Sequence, residues 1–502
     1  MNKSYKHKIS KSRFVSGVQC EKKLYFDLFR KDLKPPVSDE QQALFDGGHQ
    51  AGALAQQMFP EGKDASPESY FDFSDSIENT KKWIGDGVYT IYEAAFFYDE
   101  VLAALDILHH QNGERWAIEV KSSTSVKEYH ITDASLQYWV MSHSGFTPDK
   151  FFLMHIDNTY VKQGPIIPKR LFALEDITEQ VIANQDWVAK KLSTLKLITK
   201  DIEPVVEIGK HCGDPFTCDY IHHCWKHIPE NSVFELGNAR GKQWDLYADG
   251  ILELSKIPED IPLNHRQKLQ VEGVKNGTSY FDKDSITDFL EEWNYPLYFF
   301  DFETIFPSIP VLDGTRPYQQ VPFQYSLHII SGPDAEMQHK EFLAIPGHFT
   351  DSGSNDPRMS LIKQLKLEIG PEGSIVAYNA GFEKGVLNNL AIAFPEEVPF
   401  IEDLTSRFVD LLVVFRSAWY YKPEMGASAS IKSVLPAIDP TFSYEDLEIG
   451  DGNAASALFL SMIEGTFTGI ESETRNALLK YCERDTEGMV VIWKALIKLI
   501  KA

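Results

Sequence analysis

Three thiols crowded into thirteen residues constrain this chain more than any other feature. The stretch "GKHCGDPFTCDYIHHCWK" (209–226) holds Cys212, Cys218 and Cys224, three of only five cysteines in 502 residues. Thiols at that density suggest a metal, and a closed tetrahedral or cluster site usually takes four protein ligands. His211, His222, His223 and His227 lie beside them and could complete a Cys3His zinc site. An iron–sulfur cluster would take its fourth ligand from elsewhere in the chain. Unliganded thiols are the third reading. Five cysteines are too few for a disulfide scaffold, which favours a reducing compartment and so a cytoplasmic protein.

A chain this long exceeds what one hydrophobic core usually serves, so two or three domains are expected. No apolar run approaches the length of about 18 residues that a membrane span needs. The N-terminal "MNKSYKHKISKSRF" is basic but lacks the apolar region of a secretory signal. A net charge of −24 argues against a nucleic-acid partner. The distribution softens that, because residues 1–34 carry ten Lys and Arg against three acids. Such an arm can serve as a phosphate footprint or be a solvated tail.

Residues 1–228 read as one α/β unit. "VLAALDIL" (101–108) and "RWAIEVKSS" (115–123) are strand-like, and the Asn112-Gly113 between them signals a hairpin turn. Glu119 and Lys121 are two apart and share one strand face. Asp106 lies on the partner strand, within cross-strand reach. Two carboxylates can hold Mg²⁺ or Mn²⁺, hard cations that prefer oxygen, and the lysine can orient water or stabilise phosphate charge. Both carboxylates sit inside apolar runs, where an unpaired charge is costly. "FDGGHQAGALAQ" (45–56) places His49 at the head of an Ala-rich helix as a further metal ligand, and "ITDASLQYWVM" (131–141) reads as a helix carrying Gln137. The blander readings are exposed strand ends, a satisfied helix-end histidine and a surface glutamine.

"SRFVSGVQCEKKLYF" (12–26), His49, Asp106, Glu119-Val120-Lys121, Gln137 and the late cysteines together resemble the RecB-type nucleases of the PD-(D/E)XK superfamily. The likeness is nearest to the iron–sulfur branch that includes the CRISPR-adaptation nucleases and the AddB nuclease domain. It implies a restriction-endonuclease-like fold and a metal held by His49, Asp106 and Glu119. Lys121 would assist and Gln137 support. It also implies a 4Fe–4S cluster on Cys20, Cys212, Cys218 and Cys224, stapling the start of the domain to its end; zinc is the alternative occupant. Two features depart from that family: both gaps between the late cysteines are five residues, and Met141 stands where a tyrosine follows the glutamine.

Residues 229–290 look like a mostly helical connector. In "KQWDLYADGILELSKIPEDI" (242–261) two helices about a turn at Gly250 resemble a helix-hairpin-helix element; a plain helical linker is the other reading.

A second α/β pattern runs from 291 to 502. In "LYFFDFETIF" (297–306) Asp301 and Glu303 share a face of a β-favouring strand, where two carboxylates repel unless a divalent ion neutralises them. "SIVAYNAGFEKGVLNNL" (374–390) reads as a strand, a cap at Asn379 and a helix bearing Glu383. "ALLKYCERDTEGMVVIWKALI" (477–497) is an amphipathic helix with Tyr481 and Asp485 one turn apart. In this order the pieces resemble the DnaQ-like DEDD exonucleases of the RNase H fold, in the tyrosine subtype. They also resemble an uncharacterised bacterial domain family fused behind RecB-like iron–sulfur nucleases. The likeness implies that Asp301, Glu303, Glu383 and Asp485 hold two divalent metals and that Tyr481 positions water. Glu383 departs from the usual aspartate, Asp410 in "RFVDLLVVFR" (407–416) is a possible substitute or a fold-supporting residue, and Lys432 is a candidate phosphate contact. The reading predicts a nuclease acting on DNA, or on RNA, with no membrane partner. The competing class is a catalytically silent nucleic-acid-binding or redox-sensing protein.

Overall fold

Six strands form the sheet of the first unit, in the order β1 (Lys63–Asp64), β2 (Thr90–Tyr98), β3 (Val101–Gln111), β4 (Glu114–Lys121), β5 (Lys150–Ile156) and β6 (Phe172–Asp176). β3 and β4 are the expected hairpin. Asn112 and Gly113 both take positive φ, 53° and 83°, which the twist of a tight hairpin requires and which Asn and Gly tolerate best. The sheet is mixed, because β1 and β2 pair parallel, as do β4 and β5, while the other neighbours are antiparallel. The computed structural model describes residues 5–69, 72–350, 355–444 and 446–502.

Alternation along β4 sends Ala117 and Ile118 to opposite faces. Ala117 packs with Leu136, Trp139 and Val140 of the helix Glu128–His143 and with Leu192 and Leu195 of the helix Gln185–Ile198. Ile118 packs with Ala51 and Ala55 of the helix Asp39–Gln56. The sheet is therefore covered on both sides, which is why its strands read as nearly continuous apolar runs.

The chain divides into Met1–His227 with Ser308–Tyr318, and Ile228–Pro307 with Gln319–Ala502. The late segment Ser308–Tyr318 is held in the first unit by Lys162 Nζ on Asp313 Oδ1 at 2.6 Å. Residues 229–290 fall inside the second unit and share a core of Val233, Leu236, Leu246, Leu254, Ile257 and Val271. The helix Lys242–Ala248 stops before Gly250 (φ 76°) as expected. Beyond that glycine comes a single 3-10 turn, Leu254–Lys256, and the next helix starts at His265. The second helix of a helix-hairpin-helix is absent there because Pro258 and Pro262 lack the amide donors a helix interior needs.

The second unit is built on a five-stranded sheet. A two-residue pair, β7 (Tyr280–Phe281) with β13 (Tyr420–Tyr421), lies outside it. The sheet runs β10 (Gln338–Leu343), β9 (Val321–Ile330), β8 (Leu297–Ile305), β11 (Ser374–Ala377), β12 (Phe408–Asp410). β8 is central, antiparallel to β9 and parallel to β11. Tyr298, Phe300 and Phe302 of β8 face the helices Pro357–Glu368 and Gly381–Ala393. Leu297 and Phe299 face the C-terminal helix Glu471–Lys501, whose Met489, Ile492, Trp493 and Leu496 cover them. Asp301 and Glu303 continue this second set, so alternation aims both carboxylates at the C-terminal helix. "FVDLLVVF" resolves into β12 and a short helix, Leu412–Arg416. No helix among the described residues is long and apolar enough to cross a membrane.

Candidate functional site

In the first unit the structure joins Asp106, Glu119 and Lys121 to residues the sequence did not mark. Glu119 is buried, and its Oε1 accepts from Lys11 Nζ at 2.9 Å and Lys121 Nζ at 2.8 Å. Lys121 also reaches Asp133 Oδ2 at 2.8 Å, one helical turn before Gln137. Asp106 Oδ2 accepts from the Val120 amide at 2.6 Å. Burial alone would raise the Glu119 carboxyl, but the two lysines hold it below the usual range. Burial and the Glu119 charge push Asp106 up to about 8, and burial pushes Glu93 up to about 7. Glu119 Oε2, Asp133 Oδ1 and both amide atoms of Gln137 are buried without a protein partner. Of these, the carboxylate oxygens and Gln137 Oε1 are the atoms that could ligate a hard divalent cation.

His49 does not join this group. It lies in the middle of the helix Asp39–Gln56 rather than at its head, and it is exposed. Its helix packs on the face of Ile118, opposite Ala117, and Glu119 shares the Ala117 face. The basic N-terminal segment is not a free arm either. Lys8, Lys22, Arg30 and Lys34 pair with Glu100, Glu203, Asp32 and Asp219, and Lys11 with Glu119.

Cys20, Cys212, Cys218 and Cys224 line one cavity with Phe26, Tyr220 and His211. Cys20 stands between the helices Lys11–Gln19 and Glu21–Phe29. All four are free thiols, and burial pushes Cys218 up to about 11. Among the described residues, no three of these sulfurs fall within 4.8 Å of one another. A tetrathiolate zinc, with Zn–S of about 2.3 Å, needs tighter clustering than a multi-iron centre does. Of the histidines, His211 places its Nε2 3.8 Å from Cys212 Sγ and His223 is half-buried, whereas His222 and His227 are exposed. Gln19 ties the two ends together, donating to the carbonyls of His211 (2.9 Å) and Phe216 (2.6 Å).

In the second unit Asp301, Glu303, Glu383, Tyr481 and Asp485 converge. Glu303, Glu383, Tyr481 and Asp485 are buried and Asp301 is half-buried. Cys482 Sγ lies 3.7 Å from Asp301 Oδ2. Burial and the Asp485 charge raise Asp301 well above the usual carboxylate range; burial and Asp301 do the same to Glu303 and Glu383. Burial raises Asp485 to about 6, against hydrogen bonds from Tyr444 (2.6 Å) and Tyr481. Glu383 Oε2 is buried with no partner. Among the described residues no Lys, Arg or His forms an ion pair with any of these carboxylates. Lys432 comes nearest in effect: its Nζ is 5.7 Å from the Tyr444 and Tyr481 rings and bonds the Gly450 carbonyl at 2.7 Å. Asp410 is a backbone cap, accepting from the Asn379 and Leu412 amides at 2.9 and 3.1 Å. Concentrated buried carboxylate oxygen without a counter-charge fits a divalent cation.

Part of this chain is similar to known sequences. Residues 298–430 match the family described as "Domain of unknown function (DUF2779)". The "Uncharacterized protein MG366 homolog" of Mycoplasma pneumoniae is 26% identical over 299 residues, 52% of this chain and 44% of that protein. "Uncharacterized protein MG366" of Mycoplasma genitalium is 28% identical over 219 residues, 40% of this chain and 32% of its own length. "Uncharacterized protein UU173" of Ureaplasma parvum is 26% identical over 222 residues, 40% of this chain and 31% of its own. The chain thus spans less than half the length of these curated relatives. The family segment contains Asp301, Glu303, Glu383 and Asp410 and ends before Tyr481 and Asp485.

Sequence reasoning missed Lys11, Glu93 and Asp133 in the first unit, and Tyr444 in the second. Glu93 carried the signal that marked Asp106, a lone acid in an apolar run, "TIYEAAFF" (90–97). Cys482 was legible as a small buried residue, but not as a neighbour of Asp301.

Proposed function

We propose that the chain is a metal-dependent nuclease that hydrolyses phosphodiester bonds, with DNA as the expected substrate. The observation that carries this reading is the second-unit group. Asp301, Glu303, Glu383 and Asp485 are gathered beside a phenol, and among the described residues no Lys, Arg or His is ion-paired with them. These four residues would hold Mg²⁺ or Mn²⁺, which when bound supplies Lewis-acid stabilisation of phosphate charge. Burial and the Asp485 charge raise the Tyr481 phenol, so it stays protonated at neutral pH. Its one hydroxyl proton goes to Asp485, so its oxygen is placed to accept a hydrogen bond from the attacking water and does not act as its base. Lys432 lies over the same ring and is placed to meet a phosphate oxygen. The DnaQ-like reading rests on this arrangement together with a central strand, β8, that carries both leading carboxylates.

In the first unit Asp106 and Glu119 would hold the cation, with Gln137 and Asp133 as the oxygen-bearing neighbours. A groove of about 550 Å³ lined by His7, Ser10, Lys11, Ser12 and Arg13 adjoins this group through Lys11, and its donors suit a phosphate backbone. The cysteine set would hold a 4Fe–4S cluster, bound by thiolates from both ends of the unit. This supports the RecB-like reading, with His49 left out of the metal site.

End-labelled single-stranded DNA, incubated with Mg²⁺ or Mn²⁺, tests the proposal. The intact protein is expected to shorten it, and Asp301→Ala or Asp106→Ala to remove the activity of the affected unit. An intact protein that binds DNA and RNA but cuts neither with either metal would overturn the enzyme reading in favour of a binding module. For the cluster, anaerobically purified protein is expected to absorb at about 400 nm. A colourless protein with stoichiometric zinc on the cysteines would overturn that part.

A further inference from the structure

His328, His339 and Glu483 form a second ligand group in the second unit. One ligand atom from each lies within 4.8 Å of the others. His328 and His339 are directly opposed across β9 and β10, and their rings stack at 4.5 Å. Glu483 descends onto them from the C-terminal helix, its Oε1 standing 3.6 Å from His339 Nδ1.

The hydrogen bonds around the two rings allow a proton arrangement that frees one nitrogen of each. The Thr486 hydroxyl lies 3.0 Å from the Glu483 carbonyl, which can only accept. In that arrangement its one proton goes to this carbonyl. The 2.7 Å bond between Ser326 and Thr486 must then be donated by Ser326. With both hydroxyl protons spent, His339 Nε2 must donate to Ser326 (2.9 Å), and His328 Nδ1 must donate to Thr486 (2.8 Å). In the neutral rings this leaves lone pairs on His328 Nε2 and His339 Nδ1. The His339 lone pair then faces a carboxylate oxygen, a contact that either a proton on the ring or a metal cation between them completes. Metal-binding histidines show this pattern, with the far nitrogen held by a fixed acceptor.

We propose that His328, His339 and Glu483 bind a divalent transition-metal ion, of the class that takes two imidazoles and one carboxylate, with Zn²⁺ the type case. In a tetrahedral zinc site with bonds of about 2.0–2.1 Å, ligand atoms are roughly 3.4 Å apart. The His339–Glu483 spacing already approaches that. Water fills the fourth position, and Glu341, beside His339 and Glu483 in charge, borders it. The ion ties β9 and β10 to the helix that delivers Tyr481 and Asp485. The inference does not depend on the proposed hydrolysis.

The test uses the full chain, stripped with chelator, reloaded with Zn²⁺ alone, desalted and measured for zinc per chain. His339→Ala and Glu483→Gln are the variants, since both side chains are partly exposed, 23% and 44%, and the fold does not rest on them. Each is expected to lose one zinc equivalent relative to the unaltered protein. Ser326→Ala, which removes the acceptor that orients His339, is expected to weaken zinc binding about 10-fold. Asp301→Asn is expected to keep the equivalent, which separates this site from the carboxylate group. Equal zinc content in the unaltered protein, His339→Ala and Glu483→Gln would overturn the proposal.

Discussion

Glu119 of the first unit and the carboxylates of the second answer burial in opposite ways. In the first unit, Glu119 is neutralised from within by Lys11 and Lys121, which keep its carboxyl ionised despite burial. In the second, Asp301, Glu303, Glu383 and Asp485 repel one another, and each is pushed toward the protonated form. Within the first group only Glu119 is compensated in this way: Asp106, at about 8, and Glu93, at about 7, are pushed up like the second-unit carboxyls. The second group is a preorganised deficit of positive charge. Burying a carboxylate therefore does not by itself fix its charge state; the nearby protein cations do.

The largest effect should come from activity. Asp301→Asn is expected to lower metal-dependent hydrolysis by the second unit by about 10³-fold, the scale of losing one transition-state electrostatic contact. Cleavage of end-labelled DNA reads it directly, and near-normal rates would remove Asp301 from the chemistry.

Stability should then separate the two groups by sign. Replacing Lys11 or Lys121 with Met leaves the buried Glu119 charge under-compensated, and is expected to cost about 3 kcal/mol in urea unfolding. In metal-free protein Asp301→Asn should be neutral or stabilising by about 1 kcal/mol, because it relieves repulsion. Effects of the same sign would erase the contrast between the two groups.

A third difference is pH. The second-unit carboxyls titrate higher folded than unfolded, so the folded state binds more protons. Metal-free stability should therefore fall as pH rises from about 4, the ordinary carboxyl value, through the folded values, of which Asp485 is about 6. Divalent cations compete with those protons, so the rise in melting temperature with Mg²⁺ should be larger at pH 8 than at pH 6. A pH-independent rise would place the ion elsewhere. Glu119, held low, gives the reverse trend: its contribution is present above the ordinary carboxyl value and is lost only as pH falls through its depressed folded value.

The smallest expected effect is at Tyr444. Its hydroxyl bond lowers the Asp485 carboxyl, so Tyr444→Phe should shift the acid limb of the pH–rate profile upward and cost about 1 kcal/mol of stability. An unmoved limb would mean that Asp485 does not control it.

Local pattern made much of this legible. Asn112-Gly113 marked the β3–β4 turn, alternation put Asp301 with Glu303, and the four-residue spacing put Tyr481 with Asp485. These succeed because neighbours along a strand or helix have fixed relative directions. Placement of His49 failed because helix length and facing depend on what the helix packs against. The helix expected after Gly250 failed because the prolines outweighed the apolar spacing. Lys11 was invisible as a partner of Glu119, 108 residues away, since no local rule pairs them.

Strand faces, turns, the carboxylate pairs and the crowding of thiols were all readable from the amino-acid order, because short-range backbone geometry sets them. Which charges are compensated was left to tertiary packing. That packing brought Cys20 to the late cysteines, Lys11 to Glu119, and His328 and His339 to Glu483. Those pairings join elements whose contact results from burying apolar faces, and a buried charge or lone pair acquires its meaning from whatever that packing sets beside it.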